Sequence, residues 1–503
     1  MIRKIVFLFI ILGLFTRAYI QKDVLFYDWD EGIYAEVSSG LIDHKSIQTR
    51  FNDEVWFNKP PLSHYLIATS MSLVSDPELA ARLVMVFIAS LVLVLLYQLT
   101  QKLIRFFFES DIKHLSVFER ELMFLLPVLI TASTPIFFER ATQLNTDVML
   151  SLFWIMYLLY QDRFVIKLIA VTLGALTKSL LGLYPLGLDL LSNFPFSFNL
   201  KKIRRALLLL LIPLIWHLIN YFQYGDYFIS SHLMDQLLKR VTDPIELHYG
   251  GRLYYVKLAW SHLNIFALMM LAGYVVAFAD ATKLMKNKFN IEKYVSDFRK
   301  LLTTPAWPMY IALFSAVPFF AFLTIVQSKI SWYFATIVPL LTLIIPYLYM
   351  RITLKPLRMI ILVVIVGSFM IRFIPATYAL NITSQNDPDN VKVARCIAPL
   401  QSSSVSMLVN AQERQNRNVL EAAQQQTETS FIYGGSPAFV YYSGKHVEYY
   451  YKVEQYLIDS MKHQLVVVSQ ADIDSSIDVA NTTKKYVPVP ECTFGEWRVF
   501  SSN

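Results

Sequence analysis

The sequence predicts a polytopic α-helical membrane protein with a small polar α/β domain after residue 376. Three observations predict it: a deficit of charge, a succession of apolar runs, and a change to polar composition over the last quarter of the chain. Of 503 residues, 55% are hydrophobic and 17% charged, with 36 Phe and 29 Tyr and a mean hydropathy of +0.43. A soluble globular protein carries about 25% charged residues. The net charge of +7 does not mark a nucleic-acid binder. Its Lys and Arg fall in short clusters between apolar runs, as in cytoplasmic loops of membrane proteins.

About 30 Å of hydrocarbon needs roughly 20 apolar residues in helix. Runs of this kind occupy 4–21, 78–100, 121–139, 145–161, 164–178, 180–195, 206–224, 253–279, 306–327, 332–350 and 357–376, giving about 11 transmembrane helices. The short pair 164–178 and 180–195 is the weakest. Basic Met1–Lys4 keeps the N-terminus in the cytoplasm, and no small-residue cleavage site follows the first run, so it reads as an uncleaved span. Alternation then places Lys102–Arg120, Arg163 and Lys167, Lys201–Arg205, Lys283–Lys300 and Arg351–Arg358 on the cytoplasmic side, where Lys and Arg belong. An odd count leaves 377–503 outside. That segment alternates polar stretches with short apolar runs such as QLVVVS, and Tyr433–Gly444 reads as a strand–turn–strand piece. It also holds both cysteines, Cys396 and Cys492. They are two unrelated thiols or, on an oxidising side, a disulfide.

The outer loops collect the unusual residues. The first, 22–77, opens on YDWDEGIYAE, four carboxylates in ten residues. Asp28 and Glu36 read as solvated loop acids. Asp30 and Glu31, taken alone, read as acids at the start of a helix beginning near Gly32. The loop continues with Lys59 before Pro60 and Pro61, prolines that fix the lysine's direction. Arg82 stands at the outer end of the second span, Arg140 at that of the third and Asp147 at the opening of the fourth. Lys178 ends the fifth and reads as a snorkelling lysine. His248 and Arg252 lie in the third outer loop, Lys329 and Tyr333 around the fourth. Ionisable groups at such depth are expensive and mark function. Clustered cations suit a phosphate carried by a lipid, and a carboxylate among them suits a base for a hydroxyl nucleophile. A lipid-sugar transporter or flippase is the alternative. It would show internal repeats and charges near the bilayer midplane, and neither is visible here.

DEGIYAE, FNKPPL and ELAARL after a first span, followed by NTDVML, LGALTKSLLGL and SKISWYFATIVPLL, resemble the dolichyl-phosphate-mannose–protein mannosyltransferase superfamily. Within it they resemble in particular the bacterial aminoarabinose transferases that act on lipid A. The resemblance runs over most of 25–350. It implies the GT-C fold, with a transmembrane catalytic domain at 1–376 and a periplasmic α/β domain at 377–503. It implies an inverting glycosyltransferase of the bacterial inner membrane, with an undecaprenyl-phosphate monosaccharide as donor and a lipid, glycan or protein as acceptor. The expected enzyme is a monomer among membrane lipids, with no nucleic acid and no required cofactor. Carried over residue by residue, Asp30 matches the catalytic first-loop aspartate, Glu31 its neighbour and Asp147 the second aspartate. Lys59 matches the donor-phosphate lysine, and Arg82, Lys329, Tyr333 and Arg252 fall near that phosphate. One departure stands out. The aminoarabinose transferases have Glu before this lysine, able to join a histidine in a metal site. Here the position is Asn58, so His248 is a weak metal candidate and a divalent metal is not expected.

Overall fold

The computed structural model describes residues 1–26, 29–193, 200–242, 249–283, 306–379, 388–412, 414–415 and 436–502. Asp28, His248 and the basic residues 286, 288, 293, 299 and 300 lie outside the described residues. Each of the eleven predicted runs contains helix. Among the described residues, six helices are long and apolar enough to cross a membrane: Pro77–Ile112, Phe164–Leu190, Leu207–Tyr224, Ile265–Thr282, Tyr333–Arg351 and Lys355–Tyr378. Trp307–Phe314 and Ala316–Ile325, bent by 41°, make a seventh if they form one span. The weak pair of runs joins into the single apolar stretch Phe164–Leu190. Other runs break where a residue leaves helical geometry, as at Thr134 before Pro135 and at Asn264, whose φ is +52°.

The chain divides into two compact units, neither continuous in sequence. One comprises Met1–Ile20, Arg82–Gly225 and His248–Ala379, and the other Gln21–Ala81, Asp226–Leu247 and Leu380–Asn503. In the first unit, Val117–Ser133 packs on Lys355–Tyr378 and Tyr333–Thr342, while Asp147–Leu159 packs between Phe164–Lys178 and Tyr333–Thr342. The predicted LGALTKSLLGL motif has a mechanical role. The helix Phe164–Lys178 stops at Ser179, whose φ of +50° turns the chain into the 3₁₀ segment Ser179–Leu183. The chain doubles back so closely that a Cβ on Gly182 would lie 2.0 Å from the Gly174 carbonyl carbon. Two glycines therefore fix where Lys178 sits.

In the second unit, helix Trp29–Asp43 begins three residues before the expected Gly32, with Asp30 and Glu31 in its first turn. It packs on Leu62–Leu73 and on Pro437–Ser443. The hairpin of β1 (Arg50–Phe51) and β2 (Glu54–Val55) turns through Asn52 and Asp53 at φ +52° and +64°. This is the positive-φ pair that a two-residue turn needs. The Asn52 amide then behaves like a strand. Its Nδ2 donates to the Val447 carbonyl at 2.8 Å, and its Oδ1 accepts from the Val447 N–H at 2.7 Å.

The C-terminal part forms the expected α/β domain. Its strands β3 (Ser404–Leu408), β4 (His446–Tyr450), β5 (Leu465–Ser469), β6 (Val487–Pro488) and β7 (Trp497–Ser501) lie in the order β4-β3-β5-β7-β6. The first three in that order are parallel and the rest antiparallel. QLVVVS supplies β5. Leu408, Tyr450, Tyr456, Val466, Val468, Val479 and Tyr486 form the core on one face. Cys396 and Cys492 form a disulfide across 96 residues. The strand–turn–strand reading of Tyr433–Gly444 is corrected: Pro437–Ser443 is helix, and Tyr433–Gly435 lies outside the described residues. Proline at the helix start, buried Ala438, Phe439 and Val440, and a left-handed Gly444 (φ +58°) at its end outweigh the aromatic strand propensity.

Substituting Gly182→Ala is expected to destabilise the protein by about 1–3 kcal/mol, the range for overpacking, measured by thermal unfolding in detergent. Leu183→Ala, at a half-buried neighbour without that backbone contact, is the control.

Candidate active site

Each unit assembles part of the predicted constellation. In the first, Asp147 opens helix Asp147–Leu159. Asn145 caps that helix, its Oδ1 accepting from the N–H groups of Asp147 at 2.9 Å and Val148 at 3.1 Å. The Asp147 carboxylate is thereby released from capping and turns to other partners. Its Oδ1 accepts from Lys178 Nζ at 2.6 Å and from Thr336 Oγ1 at 3.1 Å. Asp147 is 2% and Lys178 7% exposed. Lys178 Nζ also stands 4.2 Å from the centre of the Tyr333 ring, a cation–π contact. Lys178 is thus no snorkelling lysine but half of a buried ion pair. The turn built by Gly174 and Gly182 holds it there.

Lys329 is buried and caps the end of helix Ala316–Ile325. Its ammonium donates to the carbonyls of Leu323 at 3.0 Å, Thr324 at 2.9 Å and Val326. Its three donors are engaged in this way, and burial lowers its pKa. Contact with a phosphate would require the ammonium to leave at least one carbonyl. The stem of Lys329 packs against Gly250, two residues before the exposed Arg252. Arg82 is buried. Arg140 is buried too, its guanidinium 4.9 Å from the centre of the Trp332 ring. The first unit therefore gathers Asp147, Lys178 and Tyr333, and sets Gly250, two residues before Arg252, against the stem of Lys329.

In the second unit, Asp30 is half-buried and Glu31 is 1% exposed, on adjacent positions of one helical turn. Lys59 leads through Pro60 and Pro61 into helix Leu62–Leu73, and its Nζ donates to Gln236 Oε1 at 3.4 Å. The two motifs meet through His64, whose ring lies edge-on to Tyr34 and to Trp56 at 5.2 Å each. Burial pushes the His64 pKa down to about 3, with the Lys59 charge adding to the effect. A neutral ring beside Lys59 leaves the local charge to the lysine. Glu36 is corrected: it is no solvated loop acid but half-buried on the Trp29–Asp43 helix. Burial pushes its pKa up to about 7, Asp53 and Asp43 raise it further, and the Asn52 backbone N–H pulls the other way. Among the described residues, no three His, Cys, Asp or Glu side chains converge as a metal site.

Sequence reasoning undervalued Lys178 and missed Gln236. The signal for Lys178 was its motif, with glycines four residues on either side. Gln236 is a neutral residue, and no sequence pattern around it marks it.

Comparison with known proteins comes down to fold. No protein-family model matches the chain, and no curated protein sequence does. Among solved structures, ArnT from Cupriavidus metallidurans bound to undecaprenyl phosphate is similar with a TM-score of 0.62 at 14% identity. The same protein in the apo state is similar with a TM-score of 0.61 at 15% identity. Both likenesses cover 99% of this chain and 97% of that chain. The chain shares the fold of these structures over nearly its whole length.

Removing one partner of a buried ion pair costs about 3–5 kcal/mol, because the other charge is left uncompensated. Asp147→Asn and Lys178→Met are each expected to lose about that much stability in thermal unfolding, and the double variant less than the sum of the two. For Glu36, the folded pKa lies above the unfolded one. Stability contributed by this group is full below about pH 4.5 and is lost as pH rises towards about 7. Glu36→Gln is expected to flatten that part of the stability–pH curve and to exceed wild type in stability at pH 8.

Proposed function

We propose that this protein is an integral-membrane glycosyltransferase that moves a monosaccharide from an undecaprenyl-phosphate donor to a lipid, glycan or protein acceptor. The observation that carries the proposal is the likeness, over both whole chains, to an ArnT crystallised with undecaprenyl phosphate. The motif residues supply the chemistry. Asp30, at the exposed start of its helix, takes the proton of the acceptor hydroxyl, and buried Glu31 beside it helps hold Asp30 in place. The hydroxyl oxygen bonds to the anomeric carbon as the bond from that carbon to the phosphate oxygen breaks, with inversion. The leaving polyprenyl phosphate keeps the electron pair and the added negative charge, which Lys59, Arg82 and Arg252 meet. Asp147, held by Lys178 and Thr336, orients the reacting groups, and Tyr333 borders the phosphate with Lys178 over its ring. Lys329 secures the segment leading into Tyr333 and lies near the same phosphate.

We assign the reaction no resident metal, because Asn58 offers a neutral amide where a carboxylate ligand would be needed. The cations above suffice to stabilise the phosphate. In this reading the protein is a monomer of the inner membrane, with a cytoplasmic N-terminus, a transmembrane catalytic domain over 1–376 and a periplasmic domain over 377–503.

The test is transfer of radiolabelled sugar from a panel of undecaprenyl-phosphate donors to membrane lipids, polysaccharides and proteins. Asp30→Asn is expected to lose about 10²–10⁴-fold in rate, the contribution of a general base. Lys59→Ala is expected to lose transfer with the protein still folded, and chelator is expected to leave wild-type transfer unchanged. Full transfer by Asp30→Asn overturns its role as base.

A further inference from the structure

The second unit contains a segment that neither the motifs nor the proposed chemistry uses: the helix entered at Asp226–Phe228 and continued as a π-helix over Ile229–Leu238. Such winding, with bonds from i to i+5, is rare and recurs at functional sites. Three side chains of this segment reach the stretch from β2 to Lys59. Tyr227 Oη donates to the Val55 carbonyl at 3.2 Å. His232 Nδ1 lies 2.6 Å from the Phe57 carbonyl. Gln236 Oε1 accepts from Lys59 Nζ at 3.4 Å. A carbonyl only accepts, so His232 carries its proton on Nδ1.

The spacings agree on both sides. On the loop side the partners are every second residue, 55, 57 and 59. Tyr227, His232 and Gln236 are five and four residues apart, the intervals that share a face when a helix winds from i to i+5. Five residues of α-helix would instead carry a side chain about 140° round the axis. The contact is also packed. Phe57 is buried against Tyr227 and Phe228, with ring centres at 5.9 and 5.1 Å, and the His232 ring stacks on Phe228 at 5.1 Å. His232 itself is 3% exposed.

We propose that Asp226–Leu238 is the element that positions Lys59 for the donor phosphate, with His232 and Gln236 as its positioning residues. His232 pins the backbone two residues before the lysine. Gln236 accepts from the ammonium through a neutral amide and so adds no negative charge beside it. A carboxylate at the same place would hold the lysine more strongly and neutralise it. This chain thereby secures the segment before Lys59 with direct hydrogen bonds. The assignment of a phosphate to Lys59 rests on the function proposed above; the docking does not.

The test uses the full-length protein in lipid nanodiscs, with two readouts: hydrogen–deuterium exchange of peptides covering 55–62, and binding of undecaprenyl phosphate. His232→Leu is expected to speed exchange at 55–62 about ten-fold or more, with the transmembrane peptides unchanged, and His232→Gln to restore part of the protection. Unchanged exchange at 55–62, or a loss spread evenly over the chain, overturns the docking role. Gln236→Glu is expected to keep that protection yet weaken undecaprenyl-phosphate binding about ten-fold, the effect of about 1.4 kcal/mol. A purely structural role would leave that binding intact, and this result overturns the charge argument. Failure of the underlying function looks different: Lys59→Ala then binds undecaprenyl phosphate at full strength while His232→Leu still opens the segment.

Discussion

The ion pair between Lys178 and Asp147 is the interaction on which the polar end of the first unit depends. Two charges taken out of water lose several kcal/mol of hydration each, and only tight geometry with further hydrogen bonds returns it. The fold meets that condition from three helices at once. Asp147–Leu159 supplies the carboxylate, Phe164–Lys178 the ammonium, and Tyr333–Thr342 both the Thr336 hydroxyl and the Tyr333 ring beneath the charge. Each of these chains must stop or turn at the right residue. Asn145 takes over capping so that Asp147 does not have to, and the Gly174–Gly182 contact lets the lysine's helix end at Ser179. Residues that bear no charge thus decide where the charges stand.

The second unit solves a different problem with the same economy of parts. Between the helices Trp29–Asp43 and Leu62–Leu73 its first loop runs irregularly apart from a short hairpin, so backbone groups there need partners from elsewhere. Asn52 lends its side-chain amide to the edge of β4, and Tyr227 and His232 answer the carbonyls of Val55 and Phe57. The loop becomes a defined track from Asp30 to Lys59 because segments distant in sequence hydrogen-bond to it. Gln236 offers Lys59 a neutral acceptor, and burial keeps the nearby His64 ring uncharged.

Much of this was legible in the sequence because the bilayer imposes strict rules. The apolar runs, the polar C-terminal domain and strand β5 all follow from hydropathy and alternation, and the motifs singled out Asp30, Lys59, Asp147 and Tyr333. What escaped was tertiary. Lys178 at a span's end looks like any interfacial lysine until Asp147 is seen 2.6 Å away. Nothing near Lys329 in the sequence shows that its protons go to the carbonyls closing a neighbouring helix. Glu36 reads as a wet loop acid because nothing local announces the neighbours that bury it. Pro437–Ser443 reads as strand because its tyrosines favour one, although the proline before them and the glycine after them bound a helix. In each case the deciding partner lies far away in sequence, where periodicity carries no information.

The contact at Gly32 bears on how such a chain can diversify. A Cβ on Gly32 would lie 2.6 Å from the Ala438 nitrogen, so the helix that presents Asp30 touches the backbone of Pro437–Ser443 directly. Leu25, Val391 and Ala438 share one small core beside it. The polar C-terminal segment is therefore not an interchangeable module. Recombination that exchanged it for a foreign domain would have to preserve the surface around Ala438, or the first-loop helix would lose its seat.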